Sequence, residues 1–283
     1  MNIKSYFKEK KQEYKNLIES EDLKIKLCIF QVGNNPASNR YVRNKIKDCT
    51  EVGIVCELCR FADDISEEEL IARVKDAEDR DITGLIVQLP LPPHIDIGHV
   101  KEAVKPHLDV DGFTSSAFVN PCTPQGIITY LEDAGYNFTG KNAVIIGRSD
   151  LVGKPMARML LDRDCTISIL HSKSNEMDKA NLLQRANLVI CATGHRNTIT
   201  DYDFYDGQDG LKYQIGLKVF DVGINFNEEG KMVGDCENLT TGDISPVPGG
   251  CGLLTRLAVI QNLITLEKMK KEIIVKIKNK NLL

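Results

Sequence analysis

Ala143-Val-Ile-Ile-Gly147-Arg-Ser-Asp-Leu-Val-Gly153-Lys-Pro155 is the stretch of this sequence that decides its fold. An apolar run leads into Gly147, which permits a tight turn, and a helix is predicted to begin near Val152. Gly153 lets that helix approach the strand closely, and Pro155 suits a first helical turn, where no backbone donor is needed. A helix N-terminus beside a glycine turn is suited to bind an anion. Ser149 stands where the dinucleotide fingerprint has its middle glycine, so an ordinary strand–turn–helix fits the stretch equally well.

The end of the next predicted strand, Ser168-Ile-Leu-His171-Ser-Lys-Ser174, bears on which cofactor this turn would hold. NAD-dependent enzymes usually place an acidic side chain here, where it binds the ribose hydroxyls. No acidic residue occurs between the end of this strand and Glu176. His171, Ser172 and Lys173 stand where the acid would be. With Arg148 on the preceding turn, this edge favours a cofactor that carries a 2′-phosphate, namely NADP. A loop with ordinary solvated charges is the alternative.

Short apolar runs alternate with amphipathic stretches along the whole chain, a pattern typical of βαβ units. The predicted strands lie at 23–32, 54–61, 84–89, 142–146, 166–170, 188–191 and 218–222. A helix is predicted at 38–52 with Ser38 as its cap. Another opens with Ser66-Glu-Glu-Glu69, which resembles a capping box, and runs to about Arg80. A last helix is predicted at 253–271.

Two breaks rich in proline and glycine interrupt this pattern, at 105–126 and 245–252. A chain of 283 residues is long enough for two domains. The breaks therefore predict an α/β protein with two α/β domains. The first domain is predicted at 1–118 and is completed by a C-terminal helix at 253–283. The second, at 119–252, is predicted to be a Rossmann-like nucleotide-binding domain.

The composition excludes several classes of function. Lys and Arg number 36 and Asp and Glu 40, a net charge of −4, so the chain lacks the basic footprint of a nucleic-acid-binding protein. No apolar run is long enough to span a membrane, and the N-terminus lacks the apolar core of a signal peptide. Nine irregularly spaced cysteines do not suggest a disulfide scaffold, and a reducing cytoplasm is the expected compartment.

Cys56-Glu-Leu-Cys59 is the only CxxC motif of the sequence. It lies in an alternating, strand-like run, in which its two sulfurs would face opposite sides. Buried reduced thiols are therefore favoured over a metal or redox site. His94 and His99 are five residues apart, a poor helical spacing for two ligands, so no metal is expected.

Tyr41 and Lys45 lie four residues apart on a predicted helix and so share one of its faces. A lysine held against an aromatic ring can serve as acid and base, although solvated helical pairs of this kind are common. Short-chain dehydrogenases also use Tyr-x-x-x-Lys, but after an N-terminal glycine-rich nucleotide loop. Residues 1–40 contain no such loop, which argues against that family.

Three further stretches lie at predicted strand ends or turns: Gln88-Leu89-Pro-Leu-Pro92, Asp109-Val-Asp111-Gly112 and Pro246-Val-Pro248-Gly249-Gly250. α/β folds bind ligands at such places. The Gln88 amide there is able to orient a neighbouring charge. Asp111 either faces a ligand or caps its own turn.

The chain resembles the bifunctional methylenetetrahydrofolate dehydrogenase/methenyltetrahydrofolate cyclohydrolase family from about residue 23 to 268. The motifs of that family occur here in one order, and they are specific as a set although each is weak alone. They are Pro36-Ala-Ser38, Tyr41-Val-Arg-Asn-Lys45-Ile-Lys47, Gln88 to Pro92, Asp109 to Gly112, Pro121-Cys-Thr-Pro124-Gln-Gly126, Gly147 to Pro155, Asp221-Val-Gly-Ile-Asn225, Gly234-Asp235 and Pro246 to Gly250. The resemblance implies a folate cleft between two α/β domains, and it implies a homodimer.

The resemblance also implies a role for each site residue. Lys45 corresponds to the acid/base residue, Tyr41 to the tyrosine that stacks on the folate, and Gln88 to the amide that orients and tunes the lysine. Asp111 corresponds to the carboxylate that holds the pterin edge. The substrate site is completed by Leu89, Pro248, Gly249 and Gly250. The cofactor side comprises Gly147, Arg148, Ser149, Val152, Gly153, His171, Ser172, Thr193, Gly194, Ile224 and Thr255.

The activity implied is oxidation of 5,10-methylenetetrahydrofolate with NADP, followed by hydrolysis of the methenyl species to 10-formyltetrahydrofolate. A dehydrogenase with weak or absent cyclohydrolase activity is one alternative. A non-catalytic folate- or nucleotide-binding regulator is another, which the four intact chemistry residues disfavour. The chain departs from the family pattern near the expected folate wall, which bears on affinity and on the balance of the two activities. The departures are Cys251, Leu253, Leu254, Arg256 and Leu108.

Overall fold

The computed structural model of the protein describes residues 1–205 and 210–280, except for the side chains of Ala37 and of residues 277–280. The chain divides into two compact units. The first unit contains Lys8–Cys122 together with the chain from Arg256 onward, and the second contains Met1–Phe7 and Thr123–Thr255. The boundary predicted at 118/119 divides a folate-binding domain from an NADP-binding domain. That functional division stays a prediction.

Helices and parallel strands alternate, which confirms the predicted α/β class. The helices are α1 (Ile3–Ser20), α2 (Pro36–Glu51), α3 (Glu67–Asp76), α4 (Ile97–Ala103), α5 (Cys122–Asp133), α6 (Gly153–Leu161), α7 (Glu176–Arg185) and α8 (Cys251–Lys280). The strands are β1 (Lys26–Val32), β2 (Val55–Phe61), β3 (Gly84–Gln88), β4 (Asn142–Ile146), β5 (Thr166–Leu170), β6 (Leu188–Cys191), β7 (Lys218–Asp221), β8 (Asn225–Phe226), β9 (Met232–Val233) and β10 (Asp243–Ile244). Among the described helices, none has both the length and the hydropathy to cross a membrane.

The sheet of the first unit has three parallel strands in the order β2-β1-β3. The chain runs from β1 through α2 to β2 on one side of β1, and then through α3 to β3 on the other. Strand order therefore reverses between β1 and β3, and open α/β sheets bind ligands at the carboxyl ends of such a pair. Asp109 forms a parallel bridge with Leu85 of β3, so the segment that carries Asp111 continues this sheet.

The sheet of the second unit has five parallel strands in the order β10-β7-β6-β4-β5. β5 lies on one side of β4 and β6 on the other, so strand order reverses between β4 and β6. Gly147 directly follows β4, and the loop that begins at Ala192 follows β6. This arrangement confirms a Rossmann-like sheet and places both loops where a dinucleotide would bind.

Most predicted elements are confirmed, and β4, β5 and β6 have the predicted bounds. β1 begins at Lys26 and not at residue 23. The Leu23 amide donates to the Ile18 carbonyl (3.0 Å), which closes the turn after α1 and delays the strand.

Ser38 is not the cap of α2, as the sequence predicted. The helix begins at Pro36, and the Asn35 side chain accepts a hydrogen bond from the Ser38 amide (3.1 Å). The Ser38 hydroxyl is buried inside the first turn, where it accepts from Gln31 Nε2 (3.1 Å). Asn35 offers the same capping chemistry three residues earlier, and the structure uses it.

α1 was not predicted, because its many charged residues obscure the helical spacing of its apolar residues. Ile3, Phe7, Tyr14 and Ile18 nevertheless recur on one helical face, and all four are buried. The last helix, α8, spans Cys251–Lys280 and so extends beyond the predicted 253–271 at both ends. Residues 281–283 of the predicted C-terminal helix lie outside the described residues.

The alternation predicted for β2 is confirmed at its two cysteines. Cys59 Sγ lies 3.9 Å from Cys28 Sγ on one face, whereas Cys56 hydrogen-bonds Cys49 on the other. All nine cysteines are free thiols. Within the described ranges, no group of three or more His, Cys, Asp and Glu side chains is arranged to hold a metal ion.

Gly112→Ala is expected to destabilise the first unit strongly. Gly112 has a φ of +62°, and an added Cβ would come within 2.4 Å of the Pro121 backbone nitrogen. The left-handed backbone and the overlap together should lower the free energy of unfolding by about 2 to 5 kcal/mol. Gly53→Ala is the control, since Gly53 has a φ of +91° but its nearest neighbouring atom is 3.9 Å away. Equal losses for the two variants in urea unfolding would contradict the overlap.

Candidate active site

An ion pair between Lys45 and Asp111 lies at the centre of the site in the first unit. Lys45 Nζ is 3.1 Å from Asp111 Oδ2 and 3.5 Å from Oδ1. Lys45 is only 7% exposed, and lysine is rarely buried unless it is paired. α2 carries the lysine, and the bridge of Asp109 to β3 places the carboxylate opposite it. The structure therefore joins two of the four residues predicted to do chemistry.

Tyr41 lies one helical turn before Lys45, on the same face of α2. Burial raises the pKa of its phenol, and the positive charges of Arg40, Lys45 and Arg256 oppose that shift. The half-buried phenol is therefore neutral at physiological pH and offers an aromatic surface rather than a base. This surface fits the stacking role predicted for Tyr41.

Gln88 ends β3, as predicted, but its amide does not bond to Lys45 in this structure. Gln88 Nε2 donates to the Leu89 carbonyl (2.8 Å). Its Oε1 is buried and has no hydrogen-bond partner within the described part of the chain. A buried acceptor without a donor costs free energy, so this oxygen is suited to a donor that arrives with a ligand. The predicted orienting role of Gln88 stays a prediction.

The turn that carries Asp111 is capped by Asp109. Asp109 is buried, and its carboxylate accepts from the amides of Phe113 (2.9 Å) and Thr114 (2.7 Å). Burial raises the pKa of the Asp109 carboxyl, while both amide bonds oppose the shift. The alternative that Asp111 caps its own turn is therefore wrong, because Asp109 does so and leaves Asp111 for Lys45.

Asn262 of α8 is a positioning residue that the sequence analysis missed. Its Nδ2 donates to the carbonyls of Val110 (2.8 Å) and Asn120 (3.0 Å). These two bonds tie the Asp111 segment to the C-terminal helix within the first unit. The available signal was the amide pair Gln261-Asn262 in the otherwise apolar stretch from Leu257 to Ile264.

Arg256, one of the departures from the family pattern, has a buried partner. Its Nε lies 2.8 Å from Oδ2 of Asp48, which is 4% exposed. Lys11 Nζ lies 3.2 Å from the other oxygen of the same carboxylate. Asp48 follows Lys45 by about one turn on α2. The ion pair with Arg256 therefore stabilises the position of the helix that carries Tyr41 and Lys45.

The other departures serve packing. Leu108 is buried, and its carbonyl accepts from the Leu85 amide (2.7 Å), which continues the first sheet. Cys251 and Leu254 are buried in the core of the second unit, and Leu253 packs against that core. Gly126 has no room for a Cβ, which would lie 2.3 Å from the Leu254 carbonyl oxygen.

The predicted nucleotide turn of the second unit needs both of its glycines. A Cβ on Gly147, whose φ is +119°, would lie 2.3 Å from the Ala192 carbonyl oxygen. A Cβ on Gly153 would lie 2.2 Å from the Gly147 carbonyl oxygen. Ser149 Oγ accepts from the amides of Val152 (3.2 Å) and Gly153 (3.4 Å) and so caps α6. The turns after β4 and β6 are thus in direct contact, as a dinucleotide fold requires.

The loop after β5 and the turn at Arg148 are polar, as the sequence predicted. Arg148 and Ser172 are exposed, and Arg148 forms no ion pair within the described residues. Ser174 Oγ accepts from the His171 amide (2.9 Å), which shapes this loop. The loop after β5 holds no acid that would repel a phosphate.

The remaining predicted residues also lie on the second unit, except Leu89 at the end of β3. Thr193 and Gly194 begin the loop after β6, and Ile224 is 46% exposed just before β8. The Thr255 hydroxyl donates to the Cys251 carbonyl (3.0 Å). Pro248, Gly249 and Gly250 form the turn before α8, and a Cβ on Gly250 would lie 2.4 Å from the Pro246 carbonyl oxygen.

Both halves of the chain match models of one family. The catalytic domain of tetrahydrofolate dehydrogenase/cyclohydrolase matches residues 1–111, and the NAD(P)-binding domain of tetrahydrofolate dehydrogenase/cyclohydrolase matches residues 121–271. The bifunctional protein FolD of Paracidovorax citrulli is 44% identical over 260 residues, which cover 87% of this chain and 87% of that protein.

Two solved structures share the fold over almost the whole chain. The bifunctional enzyme FolD, methylenetetrahydrofolate dehydrogenase/cyclohydrolase, from Campylobacter jejuni is 34% identical with a TM-score of 0.85 and covers 95% of this chain and 98% of its own. The Trypanosoma brucei methylenetetrahydrofolate dehydrogenase-cyclohydrolase, complexed with NADP and an inhibitor, is 26% identical with a TM-score of 0.81 and covers 95% of each chain.

Proposed function

Because this chain belongs to the tetrahydrofolate dehydrogenase/cyclohydrolase family, we propose that it oxidises 5,10-methylenetetrahydrofolate to 5,10-methenyltetrahydrofolate with NADP. It then hydrolyses the methenyl product to 10-formyltetrahydrofolate. The observation that carries this proposal is the ion pair between buried Lys45 and half-buried Asp111, beside the strand-order reversal of the first sheet. Tyr41 lies one turn before Lys45 on α2, and Gln88 ends β3.

The hydrolysis needs a group that moves a proton. Water adds to the cationic methenyl carbon and releases one proton, and a folate nitrogen takes up a proton as its bond to that carbon breaks. A general acid/base held beside the carbon serves both transfers. Lys45 Nζ is that group in this proposal, since it is buried and held at a fixed place by Asp111.

Folate binding is assigned to Asp111, Tyr41 and Gln88. The Asp111 side chain is 27% exposed, so its carboxylate can accept hydrogen bonds from an amino-pyrimidine edge while it holds Lys45. The Tyr41 ring supplies a face for stacking. The buried Gln88 Oε1 has no partner among the described residues, which supports the presence of a donor on a bound ligand or on a reoriented lysine.

The cofactor assignment rests on the second unit. NADP, when bound, accepts the hydride that leaves the methylene bridge. Gly147 and Gly153 bring the loops at the β4–β6 reversal close together, where a dinucleotide binds. In this proposal, Arg148 and Ser172 hold the 2′-phosphate, and both side chains are exposed.

Arg148→Ala is expected to raise the KM for NADP and to leave the KM for NAD almost unchanged. Losing one charge-assisted hydrogen bond of roughly 1.5 to 3 kcal/mol corresponds to about a 10- to 150-fold loss of affinity. If Lys173, which follows Ser172 in the sequence, also binds the phosphate, the effect will be smaller. Arg185→Ala, which removes another exposed arginine of the second unit, is the matched control. An equal loss for both cofactors would instead assign Arg148 to the pyrophosphate or to the turn.

One absorbance assay tests the proposed function as a whole. It follows NADPH and the methenyl species together after methylenetetrahydrofolate and NADP are added. We expect NADPH to form and the methenyl signal to rise and then decay through hydrolysis. A persistent methenyl signal would identify a dehydrogenase with weak cyclohydrolase activity, and no NADPH would contradict the dehydrogenase assignment.

Three further assignments belong to this proposal. The first unit binds folate and the second binds NADP, following the predicted division at 118/119 with the C-terminal helix added to the first. The protein acts as a homodimer in the cytoplasm, a compartment supported by its nine free thiols. Sedimentation over a range of protein concentrations tests the dimer.

A further inference from the structure

Asp235 is a buried carboxylate to which the proposed chemistry gives no role. It follows β9 in the second unit and is 0% exposed. Its Oδ2 accepts from the Thr193 amide (2.7 Å), the Thr193 hydroxyl (3.0 Å) and the Gly194 amide (3.0 Å). Its Oδ1 accepts from Asn225 Nδ2 (2.9 Å). Burying a charge is costly unless hydrogen bonds compensate it, and here several donors converge on one side chain.

Asp235 holds both ends of the loop that follows β6. Besides the bonds to Thr193 and Gly194, its backbone carbonyl accepts from the Thr198 amide (2.8 Å). The hydroxyls of Thr193 and Thr198 are 2.7 Å apart, which closes the loop between them. The carboxylate of Asp235 therefore holds the start of residues 193–198, and its backbone carbonyl holds the end.

The same loop borders the place where a dinucleotide would bind. It begins at the β4–β6 reversal, and Gly147 of the nucleotide turn contacts Ala192 directly before it. Gly194 has a φ of +72°, and nothing lies within 4 Å of the place where its Cβ would be. The loop thus presents an open glycine surface beside the nucleotide turn.

Asp235 is itself fixed by a second buried carboxylate. Asp221 accepts from the amides of Asp235 (2.9 Å) and Cys236 (2.8 Å). A Cβ on Gly234 would lie 1.8 Å from Asp221 Oδ2, and a Cβ on Gly223 would lie 1.9 Å from Asp235 Oδ1. These glycines leave the space that the two carboxylates occupy, so Asp221 and Asp235 form one rigid arrangement under the loop.

We propose that Asp235 is a positioning residue for NADP, because it fixes the Thr193–Gly194 turn against which the dinucleotide packs. This inference rests on the proposed function, since it concerns the cofactor of the dehydrogenase reaction. Hydrolysis of methenyltetrahydrofolate needs no NADP. Loss of Asp235 therefore impairs the first reaction and spares the second.

The test is Asp235→Ala, measured in both reactions with the full-length protein. Misplacing a positioned group by about 1 Å can cost roughly 100-fold, so we expect the KM for NADP to rise toward that factor. Hydrolysis of methenyltetrahydrofolate, measured without NADP, should stay close to the unmutated rate. Asp235→Asn should restore much of the loss, because an amide keeps the shape and one acceptor oxygen toward the turn.

Asp201→Ala is the matched control. Asp201 also accepts hydrogen bonds in the second unit, from the amides and hydroxyls of Thr240 and Thr241 at 2.7 to 3.0 Å. Its loss should lower Tm without raising the KM for NADP. If Asp235→Ala lowers both reactions in parallel, or leaves the KM for NADP unchanged, Asp235 has no positioning role.

A second variant covers the case in which Asp235→Ala does not fold. Thr193→Val keeps the side-chain volume and removes one donor to Asp235, so the KM for NADP should rise about 3- to 10-fold. An unchanged KM would overturn the proposal. If the unmutated protein catalysed neither reaction, the proposed function would fail, and calorimetric titration of NADP into the Asp235 variants would still show whether the turn governs dinucleotide binding.

Discussion

Replacing Lys45 by methionine should slow the hydrolysis of methenyltetrahydrofolate by about 10²- to 10⁴-fold, the usual contribution of a general acid/base group. Methionine keeps a flexible unbranched stem but carries no amine, so the proton transfers lose their carrier. The dehydrogenase step moves a hydride and should fall less than the hydrolysis. Steady-state hydrolysis rates, with circular dichroism to verify folding, measure the effect.

Lys47→Met is the matched control for this prediction. Lys47 lies two residues further along α2, its side chain is 68% exposed, and its Nζ is 3.8 Å from Glu51. The control should hydrolyse methenyltetrahydrofolate at the unmutated rate. A folded Lys45→Met protein with near-normal hydrolysis would remove Lys45 from the mechanism.

Asp111→Asn should weaken folate binding in both reactions by about 10- to 150-fold, because a hydrogen bond to a charged group contributes roughly 1.5 to 3 kcal/mol. Asparagine keeps the shape but turns one acceptor into a donor, and it leaves the buried Lys45 without its carboxylate partner. Calorimetric titration of a folate analogue measures the loss directly.

Asp81→Asn provides the comparison for Asp111→Asn. Asp81 is an exposed carboxylate of the same unit, and its Oδ2 lies 2.6 Å from Lys26 Nζ. Exposed ion pairs contribute little, so this variant should bind folate normally. Equal folate affinity for the Asp111 variant and the unmutated protein would show that Asp111 only shapes the ion pair with Lys45.

Local sequence patterns predicted the strands of the sheets well. They failed where contacts with a neighbouring element determine the position at which a strand or helix begins. β4, β5 and β6 are short apolar or alternating runs with polar ends, so their bounds follow from the sequence. The start of β1 depends on a hydrogen bond to the preceding helix, which no strand pattern records. The cap of α2 depends on which of two similar side chains faces the first turn. Asn35 does, and Ser38 points into the core.

In the site, too, the features set by nearby residues could be predicted, whereas contacts between residues far apart in the sequence could not. Tyr41 and Lys45 could be placed on one helical face from their spacing alone. Their meeting with Asp111 depends on the strand order β2-β1-β3 and on the bridge that Asp109 makes to β3. Short-range patterns gave no reason to choose between Asp109 and Asp111 as the capping residue. The partners of Arg256 and Asp235 likewise lie far away in the sequence and appear only in the folded chain.

The central claim is that one folate site around Lys45 serves both reactions. Titration of one unreactive folate analogue against the dehydrogenase and the cyclohydrolase reactions, at the same NADP concentration, tests it most directly. A shared site predicts the same inhibition constant in both reactions, and Asp111→Asn should raise both constants by the same factor. Two different constants in the unmutated protein, or a shift in only one of them in the variant, would contradict a single site.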